Sequence, residues 1–167
     1  MSLTPVGMGG PGPKGPAGSG STRQKSEVTF SGLNLTIPTT ATNLINLVKS
    51  LSHTGSLAPF FNVTTNKFNV FNVGTTVTFK LNIIGTWGGA STNRSMTVSF
   101  PGTTGNTLVE SRDAAVTQDI LSFPTFFSVD KDGNLATSGS DITIQSNGGT
   151  FTAATILLIA EQMVPNP

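Results

Sequence analysis

Val73-Gly74-Thr75-Thr76-Val77-Thr78-Phe79-Lys80-Leu81-Asn82-Ile83 is the stretch on which the fold turns. Val77, Phe79, Leu81 and Ile83 alternate strictly with Thr76, Thr78, Lys80 and Asn82, and residues two apart on a strand share a face. One face is therefore core and the other wet. Upstream, Phe61 and Val63 lead into the turn Thr64-Thr65-Asn66-Lys67, and Phe68 and Val70 lead back to Gly74. Downstream, Trp87-Gly88-Gly89 ends the segment. Met96, Val98 and Phe100 then alternate with Ser95, Thr97 and Ser99 to give the next strand, closed by Pro101-Gly102.

The same grammar extends to both sides. Val28, Phe30, Leu33, Leu35 and Ile37 form a strand with one slip at Ser31-Gly32, which reads as a bulge. Leu44, Leu47, Val48 and Leu51 fall at helical spacing behind Thr42 as N-cap, although a twisted strand competes at this length. After Leu108 and Val109 the chain passes through Ala114 to Leu121 and Phe123-Pro124, and a strand is expected over Phe126 to Val129. Asp132-Gly133 predicts a tight hairpin turn, Ile142 and Ile144 another strand, and Asn147-Gly148-Gly149 a further turn. The last strand runs from Phe151 to Val164, and in it Ile156, Leu157, Leu158 and Ile159 are apolar on both faces. Such a strand sits centrally in one sheet or faces a neighbouring subunit. Many short strands separated by turns predict an all-β jelly roll or related sandwich.

Composition agrees. Only 10 % of the 167 residues are charged and 36 % are hydrophobic, while Thr, Asn, Ser and Gly supply strand faces and turns. Net charge is +1, and Lys14, Arg23 and Lys25 are the only loose basic group, so no phosphate-tracking surface is expected and nucleic acid is excluded as a partner. Cysteine is absent, which removes disulfides, thiolate zinc and cysteine nucleophiles. Met1-Ser-Leu-Thr-Pro5 lacks a basic n-region followed by an apolar one, and no run of eighteen apolar residues occurs, so neither export nor membrane insertion is expected from these residues.

Ahead of the β pattern, Gly9, Gly12, Gly15 and Gly18 stand three apart with prolines between them. This is collagen-like spacing, because three polyproline strands close around one axis only where every third residue lacks a side chain. A Gly/Pro-rich linker explains the same residues without assembly. Apolar residues begin to recur at Val28, which divides the chain into a neck and hinge over 1–26 and a head over 27–167. At its full extension the repeat spans about 37 Å, too short to hold a triple helix unaided.

The run Phe61-Asn62-Val63-Thr64-Thr65-Asn66-Lys67-Phe68-Asn69-Val70, followed by Gly74 and the long alternating strand with Phe79, resembles the trimeric heads of the complement and tumour necrosis factor family. The family's usual Tyr after the glycine is missing, since Thr75-Thr76 follow and the chain has no Tyr. The resemblance implies a ten-stranded jelly roll packed as a homotrimer, often at the end of a collagen stalk. With the short Gly-X-Y stretch and the Thr/Asn/Ser-rich surface, it looks most like the vertex spikes of membrane-containing, tectivirus-type phages. What it implies is a non-enzymatic virion-surface spike that meets a host receptor or glycan and other virion proteins, with a secreted complement-like head as the alternative.

Site chemistry is sparse. His53 has no partner histidine or cysteine and reads as a loop residue. Asp130, Asp132 and Asn134 stand in D-x-D-x-N order, but the sixth and twelfth places of a calcium loop hold Leu135 and Asp141, so no metal is expected. Glu110 with Asp113 or Asp119 is the one carboxylate grouping open to a polysaccharide-degrading enzyme, although Glu110-Ser111-Arg112-Asp113 also reads as a solvated turn. Gly88-Gly89 and Gly148-Gly149 lead into no phosphate-binding helix. No cofactor is expected. Gly9, Gly12, Gly15 and Gly18 are the candidate trimerising residues of the neck, and Phe151, Ile156, Leu157, Leu158 and Ile159 those of the core or assembly strand. Loops near 86–93, 102–106 and 135–140 are candidate receptor surfaces, because Gly, Ser, Thr and Asn there can hydrogen-bond a ligand.

Overall fold

In the computed structural model, residues 20–71, 74–89, 92–103 and 106–165 are described. Gly9, Gly12, Gly15 and Gly18, and with them the collagen-like reading, lie outside these residues. In chain order the elements are β1 (Ser21–Ile37), β2 (Thr42–Asn43), α1 (Leu44–Val48), β3 (Thr54–Ser56), β4 (Phe61–Asn62), β5 (Lys67–Phe68) and β6 (Thr76–Trp87). There follow β7 (Arg94–Ser99), β8 (Thr107–Arg112), β9 (Gln118–Ser128), α2 (Asn134–Ser138), β10 (Thr143–Asn147) and β11 (Phe151–Pro165). The fold is all-β, as the alternation predicts.

Strands β3, β1, β11, β6 and β9 lie side by side in sheet A, and β2, β10, β7 and β8 form sheet B, with every pairing antiparallel. Val28, Phe30, Leu81, Ile83, Leu121, Phe123, Ile156 and Leu158 from sheet A meet Met96, Val98 and Ile144 from sheet B in one buried core. Phe68, on the short β4–β5 hairpin, is its hub. Its ring stacks on that of Phe61 in the same hairpin at 5.8 Å, meets Phe79 at 5.8 Å and Phe100 at 6.3 Å edge-to-face, and lies tilted 6.0 Å from Phe127, so the hairpin is sealed onto the sandwich by aromatic contacts.

Register gives the sandwich two distinguishable ends. Ser21 pairs with Pro165, and Thr76 pairs with Ser128, so the chain enters and the last strand finishes at one end, here the entry end. Ile37 with Phe151, Trp87 with Phe151, and Thr86 with Gln118 mark the far end. Gly85 is needed there: a Cβ would meet the Thr152 carbonyl and come within 2.7 Å of the Phe151 ring, which packs beneath Trp87 with centroids 4.8 Å apart. A register shift between Ala153 and Thr155 adds a bulge beside it.

Several local expectations are corrected. Residues 21–26, read as hinge, are strand, paired to β11 from Ser21 onward. Ser26 shows why composition hid this: it is buried though polar, because its hydroxyl donates to the Leu57 carbonyl at 2.8 Å and accepts the Phe60 N–H at 3.0 Å. The bulge near Ser31-Gly32 is present, with Gly32 at φ 66°. The helix forms but is shorter than its apolar spacing implies, and its cap is Asn43 rather than Thr42, the Asn43 Oδ1 accepting the Asn46 N–H at 2.9 Å. Pro124 does not break β9, since β9 is the edge of sheet A and a missing N–H there removes no needed bond. Asp132-Gly133 is not a hairpin turn: Asp132 takes φ 63°, the Gly133 N–H bonds the Asp130 carbonyl at 3.1 Å, and the chain continues into α2.

Replacing Phe68 by Ala is expected to remove about 3–5 kcal/mol of stability, because the fully buried ring joins the hairpin to both sheets. Urea unfolding followed by tryptophan fluorescence checks it; an unchanged midpoint would place the hub elsewhere.

Candidate functional site

Three places on the sandwich carry the residues singled out above: the outer face of sheet A, the far end, and a cleft at the entry end. Alternate residues of sheet A face away from the core. On that outward face, register sets Thr29, Leu157, Asn82 and Ser122 in one row and Ser31, Thr155, Ile84 and Ile120 in the next toward the far end. Glu27, Ile159, Lys80 and Pro124 form the row toward the entry end, then Lys25, Glu161, Thr78 and Phe126. Charges gather at the entry end, where Arg23 pairs with Glu161 at 3.5 Å and Lys25 with Glu27.

Strand β11 is central in sheet A, as one of its two sequence readings had it. Phe151, Ile156 and Leu158 are fully buried in the core, while Leu157 and Ile159 are half-buried on the outward face. Beside them Ile84 is 43 % and Ile120 63 % exposed, with the Ser122 hydroxyl bonded to Asn82 Oδ1 at 2.8 Å in their midst. Four branched aliphatic side chains around one polar pair make a patch that water covers at a cost in this single chain.

At the far end the loop after β6 is drawn inward by Arg94. Its guanidinium is buried, donates to the carbonyls of Gly88 and Ala114, and lies 5.6 Å over the Trp87 ring. One side chain thereby ties Gly88, just after β6, to Ala114 in the connection between β8 and β9. Nothing in the local sequence announces this arginine, because its partners come from other segments.

The carboxylates open to enzymatic use are tied up nearby. Glu110 and Arg112 are not in a solvated turn but on β8, where the guanidinium bonds Glu110 at 2.8 Å and Asp119 at 2.7 Å. Asp119 also accepts the Trp87 indole N–H at 3.2 Å. These bonds, that to Glu110 foremost, raise the Arg112 pKa above its ordinary value against the opposing effect of partial burial. Both carboxylates serve the cation that links the edges of the two sheets. Asp113 instead accepts the Ala115 N–H at 2.8 Å in the connecting turn.

The remaining sequence candidates are placed as follows. His53 is exposed, its Nδ1 2.9 Å from the Leu51 carbonyl and its ring 5.3 Å from Phe30. Asp130 and Asp132 belong to the turn before α2, and no cluster of three metal-ligating side chains occurs among the described residues. Pro101-Gly102 and the ends of the α2 segment come together: Asn134 Nδ2 donates to the Gly102 carbonyl at 3.1 Å, and the Ser140 hydroxyl donates to the Pro101 carbonyl at 2.9 Å. Beside them lies an open cleft of about 320 Å³, with Thr103, Phe126, Ser128, Asp130, Asn134 and Leu135 among its lining residues. It is at the β9 edge near the entry end, and its Phe126 ring is 70 % exposed.

Arg94→Met is expected to cost about 1–3 kcal/mol, because two part-buried carbonyls lose their donor. Limited proteolysis should then cut within 88–93 or 113–117, whereas Glu110→Gln should shift stability by less than about 1 kcal/mol, its ion pair being partly exposed.

Comparison with known proteins completes the picture. The family of the Sf6-type phage tail needle knob or tip of some Caudovirales matches residues 22–162. The tail needle protein of Shigella phage Sf6 is 56 % identical over 142 residues, which is 84 % of this chain and 50 % of that protein, so the chain spans about half the length of that relative. Among solved structures, PRD1 vertex protein P5 aligns over 90 % of this chain and 100 % of its own at 12 % identity and a TM-score of 0.42. The virus-like particle of the giant freshwater prawn Macrobrachium rosenbergii extra small virus aligns over 100 % and 95 % at 14 % identity and a TM-score of 0.31.

Proposed function

Because the chain belongs to the Sf6-type phage tail needle knob family, and so to the tail surface of a phage virion, we propose that three copies close into a non-enzymatic knob that presents host-attachment surfaces. The family is a tail needle knob, where the hairpin resemblance pointed to complement-like heads and tectivirus-type vertex spikes. The observation that carries the assembly is the patch of Leu157, Ile159, Ile84 and Ile120 on the outward face of the central strands. Burying each such side chain against a neighbour is worth about 1.5–3 kcal/mol, and in a closed threefold ring the patch of each copy packs against a different surface of the next, except for residues on the axis itself.

We read the two sheets as a jelly roll, since the chain crosses from sheet A (β1) to B (β2), back to A (β3 and, after the β4–β5 hairpin, β6), to B (β7, β8), to A (β9), to B (β10) and finally to A (β11). Residues 1–26 were divided from 27–167 by composition; with β1 starting at Ser21, the collagen-like neck ends there and the head begins. The neck is then a spacer joining the heads to other virion proteins, and the heads themselves hold the trimer. Attachment uses the loops that converge on the entry-end cleft, three copies of which engage a host receptor or glycan together, so that weak single contacts gain by multivalency. The Arg94-tied loops at the far end serve as scaffold.

Light scattering should give three times the 17.2 kDa chain mass, and after removal of residues 1–20 three times the mass of the shortened chain. Ile120→Lys is expected to yield monomers that remain folded by circular dichroism. A wild-type monomer at micromolar concentration would sink the trimer. Purified protein should also block adsorption of a phage carrying this knob, and undiminished adsorption would overturn the attachment role.

A further inference from the structure

Asn147-Gly148 is the single Asn-Gly pair in the chain, and it sits where β10 turns back into β11. Glycine is required there, because residue 148 takes φ 73° and a Cβ would come 2.5 Å from the Asn93 carbonyl oxygen. The turn is further pinned by the Ser146 hydroxyl, which donates to the Gly149 carbonyl at 2.6 Å. Asn147 is half-buried and pairs with Ser95 at the end of the β10–β7 ladder. Its side chain reaches across the sheet, where Nδ2 donates to the Ser95 hydroxyl at 3.3 Å and to the Thr97 hydroxyl at 3.1 Å. Register sets Asn147, Ser95 and Ser111 in one row of the outward face of sheet B and Gln145, Thr97 and Val109 in the next, with no charged side chain in either. That face is on the other side of the sandwich from the patch of Leu157, Ile159, Ile84 and Ile120.

We propose that Asn147 is a site of self-modification, converting to aspartate and isoaspartate through a cyclic imide at a rate set by the Ser95 and Thr97 hydroxyls. The Gly148 backbone nitrogen gives up its proton to water and bonds to the Asn147 Cγ. The Cγ–Nδ2 bond breaks, and the nitrogen leaves as ammonia. Water then adds to either carbonyl of the five-membered ring: opening one C–N bond leaves aspartate, and opening the other leaves isoaspartate, whose main chain runs through the side-chain carbon. Nothing is oxidised or reduced, and water is the only co-reactant. Glycine favours ring closure because no Cβ shields the attacking nitrogen. The hydroxyl clamp opposes it. With Nδ2 bonded to two side chains of β7, the carboxamide is drawn sideways across the sheet, whereas the Gly148 nitrogen lies along the chain of Asn147 itself. Ring closure therefore needs the clamp to open first. Aspartate can keep the clamp, since the two hydroxyls turn round and donate to a carboxylate, but it brings a charge to rows that have none. Isoaspartate adds one atom to the main chain beside the closely packed Gly148 and loosens the turn between β10 and β11.

The test holds the full chain in mildly alkaline buffer, at a temperature where circular dichroism shows it folded, and samples it over weeks. Peptide mapping by tandem mass spectrometry reads the gain of one mass unit at each asparagine, and isoaspartyl methyltransferase reads the isoaspartate formed. Asn147 is expected to convert ahead of every other asparagine, with isoaspartate among its products. Ser95→Ala combined with Thr97→Val should convert about tenfold faster, as the loss of hydrogen-bond restraint implies, and Thr97→Val alone should lie between it and the wild type. Ser95→Thr with Thr97→Ser keeps both hydroxyls and should convert at the wild-type rate, as should Ser111→Ala, in the same row but outside the clamp. Asn147 intact in wild type and clamp variant alike, once the guanidinium-unfolded chain has converted in the same buffer, would overturn the site. Equal rates with and without the two hydroxyls, or an equal acceleration by Ser111→Ala, would overturn the clamp and the proposal with it.

Discussion

Strand β11 is hydrogen-bonded to β1 on one side and to β6 on the other along nearly its whole length, and the rest of the molecule is arranged to satisfy what that position demands. A central antiparallel strand with aliphatic residues at every position from Ile156 to Ile159 can give only half of them to its own core. Ile156 and Leu158 go there, against Phe30, Leu81 and Met96 of the shared cluster. Leu157 and Ile159 are left on the outer surface, next to Ile84 and Ile120 on the neighbouring strands. The outer face of sheet A is thus graded, aliphatic toward the far end and ionic toward the entry end, while the ion pairs Arg23–Glu161 and Lys25–Glu27 are already satisfied within one chain. A contact between copies needs nothing more from those charges.

What could be read in the sequence was whatever is periodic and local. Val77 to Ile83, Met96 to Phe100 and Ile142 to Ile144 each alternate because each strand has one wet face, and the three are strands where expected. The first six residues of β1 escaped because their pattern has no apolar member, its one buried residue being a serine whose partners lie more than thirty positions away. Pro124 misled because its tolerance depends on β9 being an edge, and sheet order is not encoded locally. Asp132-Gly133 has the same dipeptide chemistry in a hairpin as before a helix, and only the following Asn134–Ser138 decides between them.

The surface and loop features were the least legible for the same reason. Phe126 looks like any alternating strand aromatic until Pro124, Ser128 and the core-facing Phe127 fix which way it points. The cleft draws on Gly102, Thr103 and Asn106, on residues 126–130 and on 133–136, segments far apart in the sequence, and the Asn134 to Gly102 bond joins two of them. Arg94 counted as one cation of a nearly neutral chain, yet it is the residue that closes the far end. Carboxylate spacing drew attention to Glu110, whose role is to share Arg112 with Asp119 across the seam between the sheets.

The antiparallel pairing of Ser21 with Pro165 and of Ile37 with Phe151 has a mechanical meaning. Whatever precedes β1 pulls on it along its own axis, and the bonds to β11 lie across that axis. A tensile load is therefore shared by the ladder in shear, in place of peeling it one rung at a time. Compression toward the far end is carried the same way through the most extensively bonded pair of strands in the head. The entry end is therefore the part of the sandwich best built to take thrust.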